Sequence, residues 1–169
     1  EYKAKGWENV ICYGMGSTLD DVKNAAAAEM NIVCSAAAIK AAEYLKEKFG
    51  TPYEIEYPRS CLPEEIVQKA DNFTDKNVLV IHNQTAADAV RKLITEKSGK
   101  CHCTSATFFM QKKELLQQSD FFLADESDLC DNVGDNYDVV IADKTLRRVM
   151  KNFSGEFIDF PHFGLSGRL

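Results

Sequence analysis

The side chains here best suited to chemistry are a few thiols, imidazoles and turn-forming residues, set where strands give way to helices. Cys34 follows the apolar run Asn31-Ile32-Val33 and precedes Ser35 and an alanine-rich helical pattern. A thiol at a helix N-terminus has its pKa lowered, which makes it a better nucleophile or metal ligand. The competing reading is a small buried hydrophobe, the usual state of a free cysteine; at this point both stand. Gly14-Met15-Gly16-Ser17 lies between the apolar run Val10-Ile11-Cys12-Tyr13 and a helix start. Backbone N–H groups of such a turn can cradle a phosphate or another anion. The dinucleotide fingerprint needs a third glycine where Leu19 stands, and no Gly-Lys-Ser/Thr completes a P-loop. A tight strand-to-helix turn without nucleotide is therefore the simpler reading of Gly14, Gly16 and Ser17.

Two further groups invite the same scrutiny. His82-Asn83-Gln84 follows Val78-Leu79-Val80-Ile81, so His82 and Gln84 either bind and orient an anion at a strand end or merely begin a helix. Cys101-His102-Cys103 alternates on an expected strand, which puts both thiols on one face and His102 on the other. Three such ligands cannot converge on one ion without a bend, so the thiols are expected in the core and His102 at the surface. Cys12, Cys61 and Cys130 are isolated. No Ser/His/Asp arrangement and no paired carboxylates mark hydrolytic chemistry, and pattern alone does not reveal a reaction.

The elements that must position these residues alternate between strand and helix. Expected strands are 10–13, 31–34, 53–57, 78–81, 101–107, 121–123, 139–141 and 157–160, each an apolar, mostly β-branched or aromatic run. Ser17-Thr18-Leu19-Asp20 reads as a capping box opening a helix that runs through Ala28. Residues 36–49 place Ile39, Ala42, Leu45 and Phe49 on one face, with Gly50 as the stop. Pro63-Glu64-Glu65 opens another helix, with proline in its first turn and acids near the positive dipole end. Thr85 can cap a helix that turns Ala86, Val90, Leu93 and Ile94 inward, and 110–118 and 144–152 complete the set, with Asp143 as a cap. Strand–helix–strand repetition means right-handed crossovers and a helix-covered, mostly parallel sheet. The expected fold is α/β, Rossmann-like parallel-sheet units with flanking helices in two lobes. Residues 1–70 would form a partial lobe containing Cys34 and 71–169 a second one, with the polar stretch Lys69 to Lys76 as the seam. Ligands of open parallel sheets bind beyond the carboxyl ends of the strands, which is where Cys34, His82 and Gln84 fall.

Composition narrows the class. At 169 residues, 45% hydrophobic and 27% charged, the chain has the material for a proper core. With 20 Lys and Arg against 26 Asp and Glu and no basic run, nucleic acid is not an expected partner. No stretch approaches the roughly 20 apolar residues of a membrane span. The absence of a signal-like start and the unpaired spacing of 6 Cys suggest reduced thiols and a cytoplasmic location. A start at Glu1 rather than Met suggests a piece of something longer.

The order of these pieces resembles nitrogenase component 1 and its relatives, a family of cluster-bearing oxidoreductases and assembly scaffolds. Gly14-x-Gly16-Ser17, a helix and Asn31-Ile32-Val33-Cys34 are similar to a strand–helix–strand segment of the family's second domain. Ala41-Ala42-Glu43-Tyr44-Leu45-Lys46-Glu47-Lys48-Phe49-Gly50-Thr51-Pro52-Tyr53 is similar to its A-x-Y-L-x-E-K-F-G-I-P signature. Val78-Leu79-Val80-Ile81 resembles the first strand of its third domain, and Tyr137-Asp138-Val139-Val140-Ile141 and Phe157-Ile158-Asp159-Phe160-Pro161 its last strands. The resemblance implies a metal-sulfur cluster, iron–sulfur or related, in the intact parent, with none expected in the isolated fragment. Its implied partners are a homologous component 1 subunit and an ATP-dependent iron protein that supplies electrons. In the family's α-type subunit a single cofactor-binding Cys ends this strand sixteen residues before the glycine, and Cys34 stands sixteen before Gly50. Gly14, Gly16, Ser17, His82 and Gln84 would then border the cofactor site. Departures are the missing first domain and the lack of an arginine-bearing Gly-rich loop around Ile81 to Thr85. Some relatives only scaffold cofactor assembly, and a generic Rossmann-type small-molecule binder is the remaining alternative.

Overall fold

Continuous β-branched runs in the second half of the chain form a five-stranded, all-parallel sheet. The computed structural model describes residues 1–14, 16–133 and 136–168. The strands are β3 (Asn77–Ile81), β4 (His102–Thr107), β5 (Phe121–Phe122), β6 (Val139–Ala142) and β7 (Glu156–Asp159), in the order β5-β4-β3-β6-β7. Because successive side chains point to opposite faces, Val78, Val80, Val139 and Ile141 enter one core while Leu79, Ile81, Val140 and Ala142 enter the other. The first core is closed by α3 (Glu64–Lys69) through Ile66 and by α4 (Gln84–Ser98) through Ala86, Val90, Leu93 and Ile94. The second is closed by Leu129 and Val133 of α5 (Glu126–Val133) together with Leu146, Met150 and Phe153. Burial on both faces explains why these strands read as unbroken apolar runs.

A smaller, two-stranded sheet precedes it. β1 (Asn31–Val33) pairs in parallel with β2 (Tyr53–Ile55), and α2 (Ile39–Phe49) crosses between them. Its core is Val33, Ala36, Ile39 and Ala42. Gly50 stops α2 in the left-handed region at φ +76°, with its N–H bonded to the Lys46 carbonyl at 2.9 Å. The segment Leu62 to Phe73 packs onto the larger sheet.

Several sequence expectations are corrected. Residues 10–13 form no strand: Val10, Ile11 and Tyr13 are exposed, because no neighbouring strand pairs with them among the described residues. The helix expected to begin with Ser17 instead begins with Thr18, whose hydroxyl caps the Asp21 N–H while Asp21 returns a bond to the Thr18 N–H. Ser17 is unavailable because its hydroxyl donates to the Gly14 carbonyl at 2.8 Å. That helix, α1 (Leu19–Lys23), is short and runs on only as a 3-10 turn over Asn24–Ala27. The alanine run Ala36–Ala38 is likewise a 3-10 turn leading into α2. Residues 110–118 contain only the 3-10 turn Lys113–Leu115, since the Lys112 backbone is held by Gln84 instead of by a helix. Residues 144–152 contain the 3-10 turn Lys144–Arg148, capped by Asp143 through the Thr145 N–H. α5 and the terminal α6 (Phe163–Ser166) were not anticipated from pattern. Among the described residues no helix is long and apolar enough to cross a membrane.

Candidate functional site

Strand order reverses between β3 and β6, which sends one crossover to each side and leaves a crevice at their carboxyl ends. The residues that leave these strands are His82 and Asp143, and β7 adds Pro161 and His162. All of them are tightly engaged. His82 is 5% exposed; its Nε2 lies 3.0 Å from the Pro161 carbonyl oxygen, and its ring stacks on Phe160 with centroids 4.0 Å apart. Burial is the main force holding its pKa down to about 4, aided by neighbouring His162 and opposed by the Pro161 bond and the Asp143 charge. Asp143 is fully enclosed. Burial alone would raise its pKa, but bonds from the Ser166 hydroxyl, the His162 N–H and the Thr145 N–H and hydroxyl outweigh that and keep it ionised.

Gln84 serves as a clamp. Its Nε2 donates to the Lys112 carbonyl at 3.0 Å and its Oε1 accepts from the Lys112 N–H at 2.7 Å, tying the segment after β4 to the start of α4. Asn83, and not the expected Thr85, caps α4 by accepting from the Ala86 N–H at 2.9 Å, because Thr85 already lies within the first turn. Thr85 then reaches across to the smaller sheet, where its hydroxyl donates to the Cys34 carbonyl. Cys34 and His82 therefore sit on adjoining strand ends, joined through the first turn of α4.

The Cys34 thiol is half-buried and its pKa is raised. Burial is the chief cause, and the Cys12 and Cys61 thiols and the Glu56 carboxylate add to it. Of the two readings of this thiol, the lowered pKa of a helix N-terminus finds no support: Ala36–Ala38 is a 3-10 turn whose Ala37 N–H is already taken by the Ser35 hydroxyl at 3.3 Å. Gly16 adopts φ +97°, and Gly14 and Ser17 close the turn through one another, with both glycines exposed and Ser17 half-buried. Met15 lies outside the described residues. With no strand before it and a five-residue helix after it, this turn lacks the frame of a phosphate loop. Cys101 and Cys103 are half-buried against the main core and His102 is exposed, as their alternation implies. Burial raises the Cys103 pKa to about 12.

Sequence reasoning passed over Tyr57, Asp88 and Lys92. Together with Glu56, Arg59 and Thr85 they line a cavity of about 240 Å³ beside the Thr85–Cys34 link. Their spacing carries no motif, because they come from a loop and two turns of α4. Among the described residues, no group of three or more His, Cys, Asp or Glu side chains is arranged to hold a metal ion. A cluster normally requires several cysteine ligands, and Cys34 offers one, so these residues do not by themselves fit a metal-sulfur group.

A central β3 flanked by β4 and β6, all parallel and covered on both faces, defines a Rossmann-like α/β protein. Among solved structures, the chain is similar to one described as "Nitrogenase Cp1 at pH 6.5", with a TM-score of 0.55 and 15% identity. The likeness covers 95% of this chain and 44% of that one, so the chain spans less than half of the nitrogenase subunit's length. At that identity the likeness establishes a shared fold. No family model and no curated protein matches the chain.

Proposed function

We propose that the chain is part of a nitrogenase component 1-like metal-sulfur oxidoreductase. In this reading residues 1–70 and 71–169 are two Rossmann-like lobes, and the intact parent receives electrons from an ATP-dependent iron protein. Fold likeness along 95% of the chain is the observation that carries it. The position of Cys34 supports it further: the residue leaves β1 beside the carboxyl end of the larger sheet, held there through Thr85. Cys34 would contribute one thiolate, and the other ligands would come from outside the described residues. His82 and Gln84 act as positioning residues, since their polar atoms are mostly committed to Pro161 and Lys112. Gly14, Gly16 and Ser17 shape an exposed turn near the same lobe. A homologous component 1 subunit would be the second partner, and these residues alone are not expected to turn over substrate.

The test is iron and acid-labile sulfide in anaerobically purified parent protein, wild type beside Cys34→Ala. Cluster iron that falls in the variant supports the reading. A cluster released to an acceptor without substrate reduction would instead identify an assembly scaffold. Equal iron in both proteins removes Cys34 as a ligand. Absence of iron from both favours a Rossmann-type small-molecule binder, for which the cavity beside Tyr57 and Lys92 is the specific structural support.

A further inference from the structure

Stacked rings, together with bonds to Asp143, hold the turn from Pro161 to Ser166. Phe109 stacks on His162 with centroids 4.3 Å apart and planes 4° from parallel. His162 lies 4.5 Å from His82, and His82 stacks on Phe160. Tyr57 meets both His82 and Phe160 edge-on at 6.4 Å. The fit is close: a Cβ added at Gly164 would stand 3.0 Å from the Phe109 ring and 3.2 Å from His162.

Hydrogen bonding fixes where each ring carries its proton. The Pro161 carbonyl can only accept, so Nε2 of His82 holds the hydrogen and Nδ1 is bare. That Nδ1 is buried with no hydrogen-bond partner among the described residues. The His162 Nδ1 accepts from the Gly164 N–H at 3.1 Å and caps α6, which leaves the hydrogen of His162 on Nε2. The next proton on either ring must therefore go to Nδ1. On His82 it would create a buried N–H with no acceptor, and on His162 it would abolish the cap.

We propose that His82 and His162 form an acid-sensitive latch, which holds the Pro161–Ser166 turn over the carboxyl ends of β3 and β6 while both rings are neutral and releases it when they are protonated. The other titratable or charged groups facing the pair are few. From the end of β6, Asp143 attracts protons, but its oxygens already accept from Thr145, His162, Ser166 and Arg168. From β7, Asp159 is paired with Arg168 at 2.7 Å. From the loop after β2 comes the ring of Tyr57, edge-on to His82, and the segment after β4 presents Phe109.

The sign follows from linkage. Burial holds the closed-state pKa of His82 down to about 4 and lowers that of His162, against an ordinary value of 6.5. As pH falls from 6.5 towards 4, the open form binds protons that the closed form refuses, and opening gains ground. Opening uncovers the switch point of the larger sheet, a consequence independent of whether a cluster is ever bound.

The experiment is an NMR titration of the 169-residue chain from pH 8 to pH 4, following the imidazole nitrogens and the amides of Gly164 and Leu165. The expected result is two neutral Nε2–H rings at pH 7.5. On acidification, turn amides should move to unstructured positions with the midpoint of the rings, while Val80 and Ile141 stay fixed. The double variant His82→Phe/His162→Asn keeps a buried ring and a capping oxygen, and its turn should remain closed to pH 4. Gly164→Ala, which crowds Phe109, should open the turn at pH 7.5. Should the double variant fail to fold, His162→Asn alone must reduce the protons taken up on opening from about two to one. Rings that titrate while the turn amides stay in place, or an acid transition that persists in the double variant, would overturn the latch.

Discussion

The two sheets answer the same sequence signal differently. Val78 to Ile81 and Val139 to Ala142 are apolar runs that become central strands, each residue at most 1% exposed, because strands lie on both sides and helices on both faces. Val10 to Tyr13 is an equally apolar run that stays exposed and unpaired, and β1 and β2 extend for three residues each over a core of four side chains. A β-branched run is therefore an offer of pairing. Whether it becomes a strand depends on the neighbours the rest of the chain brings.

That contrast has energetic consequences, which can be ranked. Phe73 is completely enclosed by the larger core, so Phe73→Ala should cost about 3–5 kcal/mol in urea unfolding, whereas Ile39→Ala in the smaller core should cost about 2 kcal/mol. Equal losses would mean that the smaller sheet is as well packed as the larger. Next comes charge. Arg91 and Asp120 are paired inside the larger region, with side chains 8% and 5% exposed, and Asp120 also accepts from the Ser105 N–H at 2.9 Å. Asp120→Ala should therefore cost about 3 kcal/mol, whereas Lys5→Ala, which removes a solvent-exposed ammonium from Glu1 and Glu56, should leave the urea midpoint almost unchanged.

Acid should act unevenly as well. His82, with its pKa held down to about 4, stabilises the larger region fully above pH 6.5 and loses that contribution as pH falls towards 4, by up to about 3 kcal/mol. Urea midpoints measured at pH 7 and pH 4.5 should differ in the wild type and differ less in His82→Phe, the remaining difference belonging to His162, whose pKa burial also lowers. The smallest effect is at the caps. Asn83→Ala should lower stability by about 1 kcal/mol because α4 runs for fifteen residues beyond it, while Ser35→Ala caps only a 3-10 turn and should change the midpoint by a few tenths.

How far the site was legible follows the same division. Strand ends are marked by where apolar runs stop, and Cys34, His82 and Asp143 were all placed at such ends by pattern. Their states were not. A thiol before an alanine run reads as activated only if that run is a full helix whose first N–H groups are free, and here the turn is 3-10 and capped by Ser35. Gln84 reads as a cleft residue, yet both ends of its amide are spent on Lys112, twenty-eight positions away. The cavity residues Tyr57, Asp88 and Lys92 share no local spacing and so carry no signal along the chain.

What the sequence determined by itself was the parallel α/β class, the places where strands hand over to helices, the stop at Gly50 and the cap at Asp143. These rest on hydrophobic period and short-range hydrogen bonding, which act within a few residues. Only the tertiary structure decided that residues 10–13 find no strand partner among the described residues, that the pKa of the Cys34 thiol is raised and that two histidines eighty residues apart come into ring contact. Pairing, desolvation and ring contact depend on distances in space between segments remote along the chain, and no local pattern encodes them.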